Sequence, residues 1–305
     1  MNFENIGLTH GQMPVGETQA LRKPRLALMG EFSAGKSTLA NLLIGAQHLP
    51  VQVTATQLPP VWISQGIAPP YRVDLEGRSI PVSLARLEDV PILETVYIRM
   101  FENSDILEQC DIIDMPGISD PNMPSAVWQR VLPQADGVIW CTHATQAWRQ
   151  SESAIWATMT AELQRRSLLL LTRIDKIVAE RDRDRIVKRV SKETLDQFSG
   201  PCLPISLTRA IAGKGNAAAF ETAGGTGFYS ALAGLLQTIR ADFGHPVAPH
   251  GSASGLIGDT KSVVPVLPRR IRSDVALTGH TPRLPAGTID PEVAAFRALM
   301  QRNQH

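Results

Sequence analysis

Gly30-Glu31-Phe32-Ser33-Ala34-Gly35-Lys36-Ser37-Thr38 fits the phosphate-loop pattern G-x-x-x-x-G-K-[ST] at every position. The residues on either side supply the context that the pattern needs. Arg25-Leu26-Ala27-Leu28-Met29 reads as a short buried strand, and Ser37 to Ile44 reads as a helix stopping at Gly45. The glycines let the backbone N–H groups wrap a pyrophosphate, while the helix points its positive end at the anion. The whole run from Gly30 to Thr38 is therefore the candidate nucleotide-binding loop. Lys36 is expected to reach the β- and γ-phosphates, and the Ser37 hydroxyl to bind Mg²⁺.

Two later stretches extend this reading. Cys110-Asp111-Ile112-Ile113 is an apolar strand leading into Asp114-Met115-Pro116-Gly117, about eighty residues after the loop. A buried strand that delivers a carboxylate and a glycine is how phosphate-loop proteins hold the second side of Mg²⁺. Asp114 is the expected magnesium residue, and the Gly117 amide is expected to contact the γ-phosphate. Further on, Leu168-Leu169-Leu170-Leu171 reads as a buried strand ending in Thr172-Arg173-Ile174-Asp175. The Asp175 carboxylate suits the N1 and N2 donors of guanine, which adenine lacks. Thr172 is a further candidate nucleotide contact, the Arg173 side chain suits the purine plane, and Ser206 follows the last strand, where it can reach the base. Asp175 as a cap for the charged helix after it is the competing reading.

Between these motifs the chain alternates strands and helices. Strands are expected over 57–64 and 96–101, a hairpin over 71–83 turning at Glu76-Gly77-Arg78, and further strands at 136–141 and 202–205. Helices are expected over 124–132, 152–165 (with Ile155, Met159 and Leu163 on one face), 181–198 and 228–243.

The 305 residues contain 43% hydrophobic residues, enough for one large α/β domain. A net charge of +1 gives no electrostatic case for nucleic acid, and no reason to expect direct membrane binding. Cys110, Cys141 and Cys202 are widely spaced in apolar surroundings, as in a reducing compartment, and there is no apparent secretion signal or membrane span. The composition thus predicts a cytoplasmic protein. Residues 1–22 read as an N-terminal arm, 23–243 as the nucleotide domain, and 244–288 as a Pro- and Gly-rich linker. Residues 289–305 read as a short helix starting at Asp290-Pro291-Glu292.

Taken together, the phosphate loop, Asp114-Met115-Pro116-Gly117 and Thr172-Arg173-Ile174-Asp175 resemble a GTPase. Gly30 to Thr38, Thr56-Gln57-Leu58-Pro59 and the stretch from Leu132-Pro133-Gln134-Ala135-Asp136 to Gln150-Ser151-Glu152 narrow the resemblance to the GTPase domain of the dynamin superfamily, bacterial dynamin-like in style, over roughly 24–243. The resemblance implies a three-layer phosphate-loop GTPase fold: a mostly parallel sheet with helices on both faces, followed here by a largely irregular C-terminal tail. It implies GTP and GDP as ligands with Mg²⁺, and Thr56 as a switch residue on the metal. Ser33 is implied to help hold a monovalent cation, K⁺ or Na⁺. Ser33, Lys36, Thr56 and Gly117 are then the catalytic set. A nucleotide-dependent homodimer through the GTPase face is also implied. The chain departs from the family in having Arg173 where lysine is usual, and in offering no long helices for a stalk. The tail is expected to recruit a protein partner instead.

Overall fold

A computed structural model describes residues 22–45, 58–121 and 123–243. Thr56, the connection before it, residue 57 of the expected strand, most of the N-terminal arm, the linker and the C-terminal helix lie outside the described residues.

Among the described residues, nine strands form a single sheet in the order β4-β3-β5-β2-β6-β1-β7-β8-β9. They are β1 (Arg25–Gly30), β2 (Val61–Gln65), β3 (Tyr71–Asp74), β4 (Ser79–Pro81), β5 (Thr95–Glu102), β6 (Asp111–Asp114), β7 (Gly137–His143), β8 (Ser167–Thr172) and β9 (Leu203–Pro204). The run β6-β1-β7-β8-β9 is parallel throughout. β2 runs antiparallel to β6 yet parallel to β5, and β3 and β4 add an antiparallel hairpin at that edge. The expectation of a mostly parallel sheet holds.

Buried parallel strands carry apolar residues on both faces, and β1 illustrates why. Leu26 and Leu28 enter one hydrophobic core while Ala27 and Met29 enter the other, following the two-residue period of a strand. The first core is closed by α1 (Lys36–Ile44), α2 (Asp105–Gln109), α7 (Leu207–Ala212), α8 (Ala217–Thr222) and α9 (Gly225–Asp242). The second is closed by α3 (Ser125–Gln129), α4 (Gln150–Trp156), α5 (Ala161–Arg165) and α6 (Glu180–Glu193). Helices therefore cover both faces, giving three layers. An aromatic group anchors the second core: Trp156 stacks on Phe198 at 4.2 Å between ring centroids and meets Trp140 edge-on at 5.3 Å. No helix among the described residues is long and apolar enough to cross a membrane.

The expected single helix over 152–165 is two helices. Thr160 interrupts it by accepting a hydrogen bond from Leu163 N at 3.2 Å, so it caps a new helix. The Thr158 hydroxyl also turns back onto the Ile155 carbonyl at 2.7 Å. The helix expected over 124–132 is likewise shorter, ending at Gln129 before a 3₁₀ turn that contains Pro133. The strand expected from residue 57 starts at Val61.

Candidate nucleotide site

The site lies at the C-terminal ends of β1 and β6–β8, where an open parallel sheet places its loops around a crevice. The loop after β1 folds as its sequence demands. Gly30 has φ 139°, and a Cβ there would sit 2.1 Å from the Cys141 carbonyl oxygen of the neighbouring strand, so only glycine fits. The chain then enters α1, whose far end stops at Gly45 in the left-handed conformation.

The loop is tied down from several directions. The Thr172 hydroxyl donates to the Ala34 carbonyl at 2.7 Å, and Arg173 Nη2 donates to the Ser33 carbonyl at 2.7 Å. Lys36 Nζ donates to the carbonyls of Gly30 (3.1 Å) and Glu31 (2.8 Å), which holds the buried lysine under the loop. Burial lowers the Lys36 pKa, and the nearby charges of Asp114, Asp120 and Glu31 partly restore it. Across the crevice, Gly117 packs on the loop so closely that a Cβ would lie 2.8 Å from the Phe32 Cα.

A cleft of about 170 Å³ opens between these parts, lined by Phe32, Ser33, Gly35, Lys36, Ser37 and Thr38 on one side. Asp114, Gly117, Asp120 and Arg173 line the other. Asp114 is buried, and its Oδ1 has no hydrogen-bond partner. Burial raises the Asp114 pKa, with the Ser37 hydroxyl and the Lys36 charge opposing that shift. A hydroxyl and a carboxylate with an unused oxygen are hard oxygen donors, and beside an open cleft they suit Mg²⁺, which takes one or two protein ligands and fills its shell with phosphate and water. Among the described residues there is no group of three or more His, Cys, Asp or Glu arranged to hold a metal unaided. Ser37 and Asp114 are the residues here that fit the ion.

The other expected residues stand further back. Asp175 is half-buried in the turn after β8, beside the Ser206 hydroxyl. Burial raises its pKa, but Ser206, its own backbone N–H, Arg209 and Lys176 outweigh this and hold the carboxyl below the usual range. Thr172 is fully buried and spends its hydroxyl on Ala34 and on the Thr142 carbonyl, so it supports the loop and does not face the cleft. Ser206 is buried at the start of α7. The structure thus brings together the phosphate loop, Asp114, Gly117 and Arg173, with Asp175 and Ser206 outside the cleft lining.

Three contributors were not read from the sequence. The Asp120 carboxylate lines the cleft and acts on Lys36. Arg149 Nη1 and the Ser151 hydroxyl both donate to the Glu31 carboxylate, at 2.9 and 2.7 Å. Asp120 was findable as the first acid after Asp114-Met115-Pro116-Gly117, whereas nothing local marks Arg149 or Ser151 as partners of the loop.

No protein-family model matches the chain. Dynamin-like protein 2 of Campylobacter jejuni subsp. jejuni serotype O:23/36 (strain 81-176) is 26% identical over 161 residues, covering 51% of this chain and 26% of that protein. Two chains of an oligomerised bacterial dynamin pair, described as sensing and tethering membranes at long range, share the fold. One aligns with TM-score 0.54 at 17% identity, covering 74% of this chain and 36% of its own, and the other with 0.53, 19%, 74% and 37%. The chain spans about a quarter of the curated relative's length. The chain is thus similar in sequence to a dynamin-like protein over about half its length, and it shares its fold with the bacterial dynamin pair.

Proposed function

We propose that this chain carries a dynamin-superfamily GTPase domain that hydrolyses GTP to GDP and phosphate with Mg²⁺, and that it serves as a nucleotide-controlled switch or assembly regulator. The observation that carries the reading is the buried Asp114 carboxyl beside Ser37 and Lys36 at the foot of the phosphate loop, with its Oδ1 left without a hydrogen-bond partner. An acid left so in the interior is costly unless a cation completes it. Ser37 and Asp114 would hold the Mg²⁺, which when bound would supply positive charge to offset the negative charge developing on the phosphates.

The chain's own residues carry the rest. Lys36 and the loop amides of Gly30 to Thr38 bind and orient the phosphates, while Ser37 and Asp114 hold the metal. The Gly117 amide meets the γ-phosphate side, and Thr56 is proposed to complete the metal shell and to place the attacking water. Asp175 selects guanine, with Arg173 lying along the base and Ser206 supporting the acid. Ser33 is proposed to help hold a monovalent cation. Pairing of two such faces into a homodimer is proposed to raise a slow basal rate, and the tail is proposed to engage a protein partner in the cytoplasm.

A second reading follows from one observation. Ile118, directly after Gly117, is apolar and cannot orient a water. A nucleotide-binding interaction module with little turnover would look the same at this position. Phosphate release from GTP and Mg²⁺ by the purified chain, compared with Lys36→Ala, tests the proposal. Release that depends on Lys36 supports hydrolysis; tight GTP binding with no release supports the second reading; and equal competition by ATP refutes guanine selection.

A further inference from the structure

The second residue of the phosphate loop is an acid, and an acid beside a triphosphate opposes its binding. The Glu31 side chain is only 13% exposed, and its carboxylate is engaged at both oxygens. Arg149 Nη1 meets Oε2 at 2.9 Å and Ser151 Oγ meets Oε1 at 2.7 Å, both from the start of α4. The backbone there is fixed from beneath. Arg149 N donates to Glu152 Oε2 at 3.0 Å, and the buried Glu152 is itself held by Trp140 Nε1 and the Thr142 hydroxyl, each at 2.9 Å. Arg149 is thus a cation presented to the loop on a rigid base, with its side chain 43% exposed. At the other end, the Glu31 carbonyl receives Lys36 Nζ. One residue therefore links the phosphate-binding lysine to α4.

Resting on the reading that this loop binds a guanine nucleotide, we propose that Arg149 is a positioning residue that neutralises Glu31, so that the loop holds a polyphosphate beside a built-in acid. The proposal separates from a plain structural staple by an asymmetry. A staple fails alike whichever partner is removed. A neutralising cation does not: without Arg149 an unpaired carboxylate stands beside the phosphate loop, whereas without the Glu31 charge an unpaired guanidinium stands there. Glutamine at 31 keeps a carbonyl for Ser151 or Arg149, so the anchor survives while the charge goes.

The test is equilibrium binding of fluorescent GDP with Mg²⁺ to the full chain, for wild type, R149A, R149K, E31Q and the double variant E31Q/R149A, alongside thermal unfolding without nucleotide. R149A is expected to weaken GDP about ten-fold, as an unscreened like charge within several ångströms would. R149K recovers most of that loss. E31Q binds more tightly than wild type, because the guanidinium is left uncompensated beside the loop, and adding it to R149A restores affinity to within about three-fold of wild type, since removing both charges leaves no repulsion. Unfolding temperatures stay close, because a partly exposed pair contributes little to stability. Equal weakening by E31Q and R149A, a double variant no better than R149A, or unchanged binding by R149A overturns the proposal. Should R149A not fold, E31Q decides by the sign of its effect: tighter GDP binding than wild type supports the proposal, and equal or weaker binding refutes it. Folded wild-type protein that fails to bind GDP at all overturns the nucleotide reading itself, a result distinct from the others.

Discussion

Replacing Glu152 with glutamine removes one of two carboxylate oxygens that between them accept three hydrogen bonds. Oε1 accepts from Trp140 Nε1, and Oε2 accepts from Thr142 Oγ1 and Arg149 N. Glutamine has one acceptor oxygen. If that oxygen takes the two donors on the Oε2 side, its NH₂ group faces the indole N–H at about the distance where the oxygen stood. One buried hydrogen bond is lost and two donors confront each other, which costs about 1–3 kcal/mol. For a domain of this size each kcal/mol moves the melting temperature by about 2–4 °C, so a fall of roughly 2–12 °C is expected.

The pH dependence gives the sharper check. Burial raises the Glu152 pKa above its ordinary 4.5, and the hydrogen bonds from Trp140, Arg149 N and Thr142 oppose that shift without cancelling it. Between 4.5 and the raised value the folded protein holds the proton more often than the unfolded chain does. Stability from this residue therefore falls as pH rises through that window, and glutamine has no such slope. Thermal unfolding of both proteins across the acid-to-neutral range isolates the residue, because other groups cancel in the difference. The wild type's advantage should widen toward acid. An advantage that narrows toward acid would mean that the three donors outweigh burial, and a variant as stable as wild type would refute the network itself.

Two further outcomes follow from the site. Gly30→Ala forces a side chain into a left-handed backbone and against the Cys141 carbonyl, so denaturant unfolding should show a loss of about 3 kcal/mol or more; under about 1 kcal/mol would contradict the described close approach of β1 and β7. Asp175→Ala should reduce the preference for GTP over ATP by about a hundred-fold in competition binding. Because the Asp175 pKa is held low, wild-type preference should stay flat from about pH 8 down to about pH 5, and a preference that fades within that range would refute the charged acid as reader.

Local signals made much of this site legible in the sequence. Gly30 to Thr38, the strand before it and the helix after it lie within one short stretch, and spacing alone specifies their geometry. Asp114 and Gly117 were equally readable, because an apolar strand running into an acid-x-Pro-Gly turn can deliver them only to a strand end. Contacts between distant segments were not. Arg149 and Ser151 reach Glu31 across 118 and 120 residues. The sequence sign of a capped helix start, a hydroxyl or acid followed three residues on by Glu, is broken by the arginine at the cap position. Thr172 read as a nucleotide contact because it ends the strand before Asp175, but its hydroxyl turns inward to Ala34. The antiparallel entry of β2 beside β6 leaves no local trace either, since a buried strand is apolar in both directions.

Those distant contacts change what nucleotide binding must cost. Fixing the backbone of one residue costs about 1–2 kcal/mol, so ordering the stretch from Gly30 to Ala34 only when nucleotide arrived would cost about 5–10 kcal/mol. Here Thr172 holds the Ala34 carbonyl, Arg173 the Ser33 carbonyl, Lys36 the carbonyls of Gly30 and Glu31, and α4 the Glu31 side chain. Gly117 confines Phe32 by contact. Every residue of the turn is thus ordered by folding, through groups that arrive from the end of β8, the turns after β6 and β8 and the start of α4, as well as from α1. A loop ordered in this way spends little binding energy on its own conformation, leaving more of that energy for contacts that strengthen as charge develops on the phosphates. It also follows that the 149–151 segment touches the loop at its only acidic residue, so any displacement of α4 reaches the phosphate site first as a change of charge and only second as a change of shape.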